Sequence, residues 1–164
     1  MYAVGDYVVK VNDGVCQIEE ITHLQMSGVS NEKLYYLMVP VYNKGSRIFV
    51  PVEGREDELR FVVDEKSITQ MLEKVPSMET EWIENNKLRE AKYKEVLHDG
   101  DPECMLGYIK VMYQKRRERE AVGKKNTAVD ERYLKFMEDA VYAEFAFSMG
   151  CEKAEMKEKI VKMM

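Results

Sequence analysis

The chain has 164 residues and a mass of 19.2 kDa, enough for one ordinary domain or two small ones. Hydrophobic residues make up 45% and charged residues 34%, the balance of a globular protein. No apolar run approaches the ~20 residues of a membrane helix, and no basic stretch followed by an apolar core opens the chain, so neither a membrane span nor a signal peptide is expected. Cys16, Cys104 and Cys151 are scattered and odd in number, which excludes a disulfide framework or a structural zinc site and fits a reducing cytoplasm.

Net charge is −5, which as a whole disfavours nucleic acid, but the charge is uneven. Residues 1–75 carry 8 basic and 12 acidic side chains, net −4. Residues 87–125 carry 11 basic and 7 acidic, net +4, a basic stretch inside an acidic protein.

The first ~60 residues predict short strands separated by turns. Tyr7–Val11 is β-branched and aromatic. Asn12-Asp13-Gly14 is a turn, because these residues tolerate positive φ. The strand resumes over Val15–Thr22, a loop follows around Ser27-Gly28, and Lys33–Val39 is a third strand. After the turn at Asn43-Lys44-Gly45, Ile48–Val50 is a fourth, stopped by Pro51, which cannot donate to a ladder.

Beyond residues 60–64 the period becomes helical. Asp64 caps a helix over Glu65–Lys74, and Pro76 breaks it. A charged helix is expected over Glu79–Leu97, ended by Gly100. Asp101-Pro102 starts another at once, with the apolar face Met105, Tyr108, Ile109, Met112 and Tyr113. Thr127 to Asp130 fits a capping box, opening a helix that buries Val129, Tyr133, Phe136, Met137, Ala140, Val141 and Phe147. Gly150 ends it, and residues 151–163 form a last helix. The fold class is therefore α+β: a small β module of barrel or sandwich type, then an all-α bundle of about five helices.

No residue set supports catalysis. Cys16 and His23 lie seven apart; on one regular strand that spacing puts them on opposite faces, out of hydrogen-bond reach. His98 has no partner at metal spacing, and no phosphate-binding glycine loop or nucleophile elbow occurs. Neither an enzymatic activity nor a cofactor is expected.

Three surfaces remain. An open β module offers a free edge for a partner strand, unless charge blunts it. Trp82, the only tryptophan, lies in the charged segment ETEWIENN and either packs on a neighbouring helix or stands as an apolar wedge for DNA. Lys115, Arg116, Arg117, Arg119, Lys124 and Lys125 cluster at a helix end, where cations meet the macrodipole. They form either a solvated terminus or a phosphate patch diluted by Glu118 and Glu120.

The opening YAVGDYVVKVNDGVCQIEEI resembles the CarD/CdnL family of bacterial transcription regulators. KLYYLMV, RIFVPVE, ELRFVV, HDGDPECMLGYIKVMY and KKNTAVDERYLKFMEDAVYAEFAFSMG continue the likeness in order. The resemblance implies a Tudor/SH3-like module over residues 1–62 that binds the RNA polymerase β subunit. It implies a helical domain over 63–164 that touches promoter DNA in the minor groove without sequence specificity. Such a protein stabilises the open promoter complex, is not an enzyme, and acts in the cytoplasm at the nucleoid through RNA polymerase, as a monomer. An adaptor of the same fold without DNA contact is the alternative.

Carried over residue by residue, the DNA-binding set is Trp82, Lys87, Arg89, Lys115, Arg116 and Arg119. Glu84 and Asn85 stand where the family is basic, and Arg89 takes a basic position when Gly100-Asp101 anchors the alignment. The polymerase-binding set is Leu24, Arg47 and Phe49. Phe49 replaces the arginine usual before the Val-Pro pair, and Arg47 on the same strand face takes over its charge.

Overall fold

A computed structural model describes residues 1–164 and divides into two compact units, Met1–Val62 and Val63–Met164. The first holds five strands: β1 (Tyr7–Lys10), β2 (Gly14–His23), β3 (Leu34–Pro40), β4 (Ile48–Pro51) and β5 (Leu59–Phe61). They form one antiparallel sheet in the order β4-β3-β2-β1-β5. The Asn-Asp-Gly turn joins β1 to β2 with Lys10 opposite Gly14. Its φ values of 73° at Asn12 and 76° at Gly14 are the left-handed ones that these residue types accept cheaply.

One face of the sheet buries Val8, Cys16, Ile18, Tyr36, Met38, Val50 and Leu59. Tyr2 closes over it: its backbone N–H donates to the Tyr36 hydroxyl at 3.0 Å, and its own hydroxyl donates to the Leu59 carbonyl at 3.0 Å. Two features differ from expectation. Strand β5 is an addition; three residues with no turn signal become a strand because β1 pairs with them. Pro51 lies inside β4 rather than beyond it, which an edge strand tolerates.

A third difference changes an argument. Ile18 faces Met38 and Glu20 faces Leu37, so Glu19 is the extra residue of a β-bulge. The bulge shifts the phase of β2, and Cys16, Ile18, Ile21 and His23 all share one face. Parity therefore does not separate Cys16 from His23; distance does. Their partners Pro40 and Leu34 are six residues apart on β3, about 20 Å at ~3.4 Å per residue.

The second unit holds α1 (Glu65–Lys74), α2 (Asn86–Asp99), α3 (Pro102–Ala121), α4 (Ala128–Met149) and α5 (Lys153–Val161). Asp64, Asn85, Asp101 and Thr127 each cap the following helix with a side-chain oxygen. Helix α4 packs on α1, α2, α3 and α5, and the core between them includes Ile68, Tyr93, Ile109, Met112, Met137 and Phe145. On α4 the expected apolar face is partly wrong. Phe136 is 48% exposed and Ala140 is exposed, while Leu134 and Phe145 are buried instead.

The charged helix expected from Glu79 begins only at Asn86. Residues 78–84 belong to no helix or strand. Side chains hold carbonyls here that a helix would need. Lys110 donates to the Pro76 and Met78 carbonyls at 2.8 and 2.9 Å. Arg89 donates to those of Ile83 and Glu84 at 2.9 and 3.1 Å. The segment also lies close against α3 at Gly107, where a Cβ would stand 2.5 Å from Thr80 Oγ1. Glycine is needed there for approach, not for φ.

Candidate functional site

Trp82 sits in the 78–84 segment, half-buried and packed on the helical core. Three cations surround its ring. The Arg89 guanidinium lies 4.5 Å from the ring centroid, that of Arg119 5.6 Å, and Lys115 Nζ 5.8 Å. Each is within cation–π range. The helices α2 and α3 thus bring together four of the six residues expected to meet DNA.

Arg89 itself is not at the surface. It is 3% exposed, and its guanidinium donors have protein partners. Nε and Nη2 form a bidentate pair with Asp130 at 2.9 and 3.0 Å, Nη2 also donates to Asn86, and Nη1 donates to the two carbonyls named above. That accounts for all five N–H bonds a guanidinium can donate. Arg89 was expected among the DNA-binding residues; with its donors taken by protein acceptors, it fixes the Trp82 segment from within.

Asp130, on the first turn of α4, is the centre of this arrangement. Besides Arg89, its carboxylate accepts from Tyr93 Oη at 2.7 Å, Arg119 Nη1 at 2.9 Å and Thr127 Oγ1 at 2.6 Å. Burial pushes its pKa up, but hydrogen bonds from Arg89, Thr127, Tyr93 and Arg119 outweigh that and hold it well below the usual carboxylate range. Burial and the Asp130 bond together push the Tyr93 hydroxyl up. The sequence marks Asp130 only as a capping-box acid. One clue was available: the box prefers glutamate or glutamine, and aspartate is short for the return bond. Here Thr127 Oγ1 accepts from the Asp130 N–H at 3.1 Å, while the acid turns inward.

The remaining basic residues divide. Lys87 is exposed. Lys115 pairs with Glu118 at 3.2 Å. Arg116 turns away from Trp82, stacks 4.5 Å from the Tyr113 ring and meets Glu131 at 3.4 Å. Arg119, 23% exposed along its side chain, also donates to Asn126.

In the β unit, Leu24 follows β2 and is half-buried, Arg47 is exposed just before β4, and Phe49 lies on β4. Strand β4 is an edge with no partner beyond it. Ile48 and Val50 point to the core, so Phe49 points outward, beside Leu37 of β3. Arg47 has the parity of Phe49.

Cys16 has no site around it. Its thiol is fully buried, donates to the Gly14 carbonyl at 3.5 Å, and is pushed up to about 11 by burial, with Asp13 adding and Lys10 opposing. A thiolate is the reactive form. In the native protein a thiol reagent at neutral pH should modify exposed Cys104 and spare Cys16 until unfolding, read by peptide mass. Early loss of Cys16 would restore it as a candidate nucleophile. No group of three or more His, Cys, Asp or Glu is placed to hold a metal, and no helix is long and apolar enough to cross a membrane.

Residues 2–63 match the family model described as CarD-like/TRCF RID domain. The match covers the β unit and stops where the helical unit begins. No curated protein matches the chain.

Proposed function

We propose, from the premise that residues 2–63 of this chain are an RNA polymerase-interacting domain of the CarD-like family, that the protein is a transcription regulator holding promoter DNA open on the polymerase. That match supports a polymerase-binding, transcription-associated role for the chain. Beyond that, the proposal assigns the β subunit as the docking partner, through Leu24, Arg47 and Phe49. It assigns promoter DNA to the helical unit, through Trp82, Lys87, Lys115, Arg116 and Arg119.

The observation that carries the DNA assignment is the indole of Trp82 ringed by Arg89, Lys115 and Arg119. An aromatic plane beside cations is the equipment for an unstacked base next to phosphates. Stacking supplies ~1–3 kcal/mol per base, and each neutralised phosphate adds salt dependence without sequence readout. An apolar wedge at a base step costs a few kcal/mol in unstacking, recovered where the duplex is already opening.

A second reading, an adaptor that binds polymerase but not DNA, draws on the acidic partners. Glu118, Glu131 and Asp130 already engage Lys115, Arg116 and Arg119. One experiment separates the two: open-complex lifetime on a fluorescent promoter fork with RNA polymerase, wild type beside Trp82→Ala. The DNA reading expects a longer lifetime with wild type, lost in the variant by about 5- to 150-fold, the range given by ~1–3 kcal/mol. It also expects the gain to shrink as salt rises. Equal lifetimes for wild type and variant leave the adaptor.

A further inference from the structure

We propose that Asp130 is a positioning residue for Trp82: its carboxylate holds Arg89 and Arg119 against the indole and thereby fixes how the ring is presented to DNA. The proposal rests on the DNA reading above and goes beyond it, because Asp130 is buried and touches no nucleic acid.

Trp82 lies where no helix or strand ladder holds the backbone. Its position depends on its packing against the core and on the cations around it. Arg89 acts twice, once on the ring at 4.5 Å and once on the backbone directly after it, through the carbonyls of Ile83 and Glu84. The guanidinium is kept in that pose by the bidentate pair with Asp130. Arg119, from α3, reaches the same carboxylate and the same indole.

Two arginines from separate helices converge on one ring because one aspartate on a third helix pairs with both. Without the charge, the two cations repel each other at close quarters in a site of low dielectric. An asparagine at 130 keeps the shape. Its NH2 group is a donor facing donors, so it cannot take the whole set of bonds.

Because Trp82 is the only tryptophan, its emission reports this site alone. Wild type, Asp130→Asn and Trp82→Ala are compared in the full chain by Trp82 emission and acrylamide quenching, polymerase affinity and open-complex lifetime. For Asp130→Asn we expect a red-shifted, more quenchable indole, unchanged polymerase affinity, and a lifetime gain reduced about 2- to 30-fold, the scale of a lost cation–π contact. Should Asp130→Asn fail to show a cooperative unfolding transition, Arg119→Gln removes one arm of the set from a partly exposed position, and the same shifts are expected at smaller size.

A folded variant with an unmoved indole, or with a moved indole and wild-type lifetime, overturns the proposal. A Trp82→Ala lifetime equal to that of wild type is the separate outcome that sinks the DNA reading itself. It leaves the emission comparison to report on the position of the ring.

Discussion

Replacing Asp130 with alanine should destabilise the protein by about 3–5 kcal/mol, the cost of removing one partner of a buried ion pair. The substitution leaves the Arg89 charge at 3% exposure with its strongest acceptor gone. It also strands the Tyr93 hydroxyl, which is buried and donates to the same oxygen. Against a total of ~5–15 kcal/mol for a domain, the loss should appear as a fall of more than about 10 °C in the melting temperature of the helical unit.

The pH dependence has a definite sign. Asp130 is held below its unfolded value, so its contribution is fully present above an unfolded pKa of ~4 and is lost as pH falls below that. The gap between wild type and Asp130→Ala should therefore be constant at neutral pH and narrow in acid. Calorimetry across that range checks it, and a gap that widens on acidification would contradict the assignment. Replacing the pair together, Arg89→Met with Asp130→Leu, should cost less than Asp130→Ala alone, because the fully buried Arg89 charge is removed with its partner.

The features legible in the sequence are those fixed by neighbours in the chain. Asn12-Asp13-Gly14 marks its own turn, Asp64 caps the helix it precedes, and Gly100-Asp101-Pro102 stops one helix and starts the next within three residues. What was illegible depends on residues far away. The bulge at Glu19 is a register between β2 and β3, with no residue signature of its own. The stretch before Asn86 has a helical composition. It is denied a helix by Lys110 and Arg89, which bind its carbonyls. Arg89 reads as a surface cation in a charged segment. Only a partner 41 residues later makes it a core residue. The candidate DNA site was thus half visible. The aromatic residue and the cations stood out by type, whereas the acid that organises them looked like an ordinary helix cap.

In the β unit, Phe49→Glu should weaken binding to RNA polymerase by about 30- to 1000-fold, the scale of an interface hot spot worth ~2–4 kcal/mol. Phe49 is 42% exposed, a large apolar ring held outward on the free edge strand, beside Leu37. A carboxylate there would be desolvated without a partner in any docked complex. The fold should be indifferent, since Val50, not Phe49, supplies the core side of β4. An unchanged circular dichroism spectrum and melting curve would confirm that. Arg47, exposed and at the same parity, should behave differently: Arg47→Ala is expected to slow association and flatten its salt dependence more than it speeds dissociation, as rim charges do. Surface plasmon resonance against the polymerase resolves both rates. An unchanged affinity for Phe49→Glu would move the docking surface off β4. Trp82→Ala serves as the control in the same titration: if polymerase docking belongs to the β unit alone, removing a side chain of the helical unit leaves the affinity where it was.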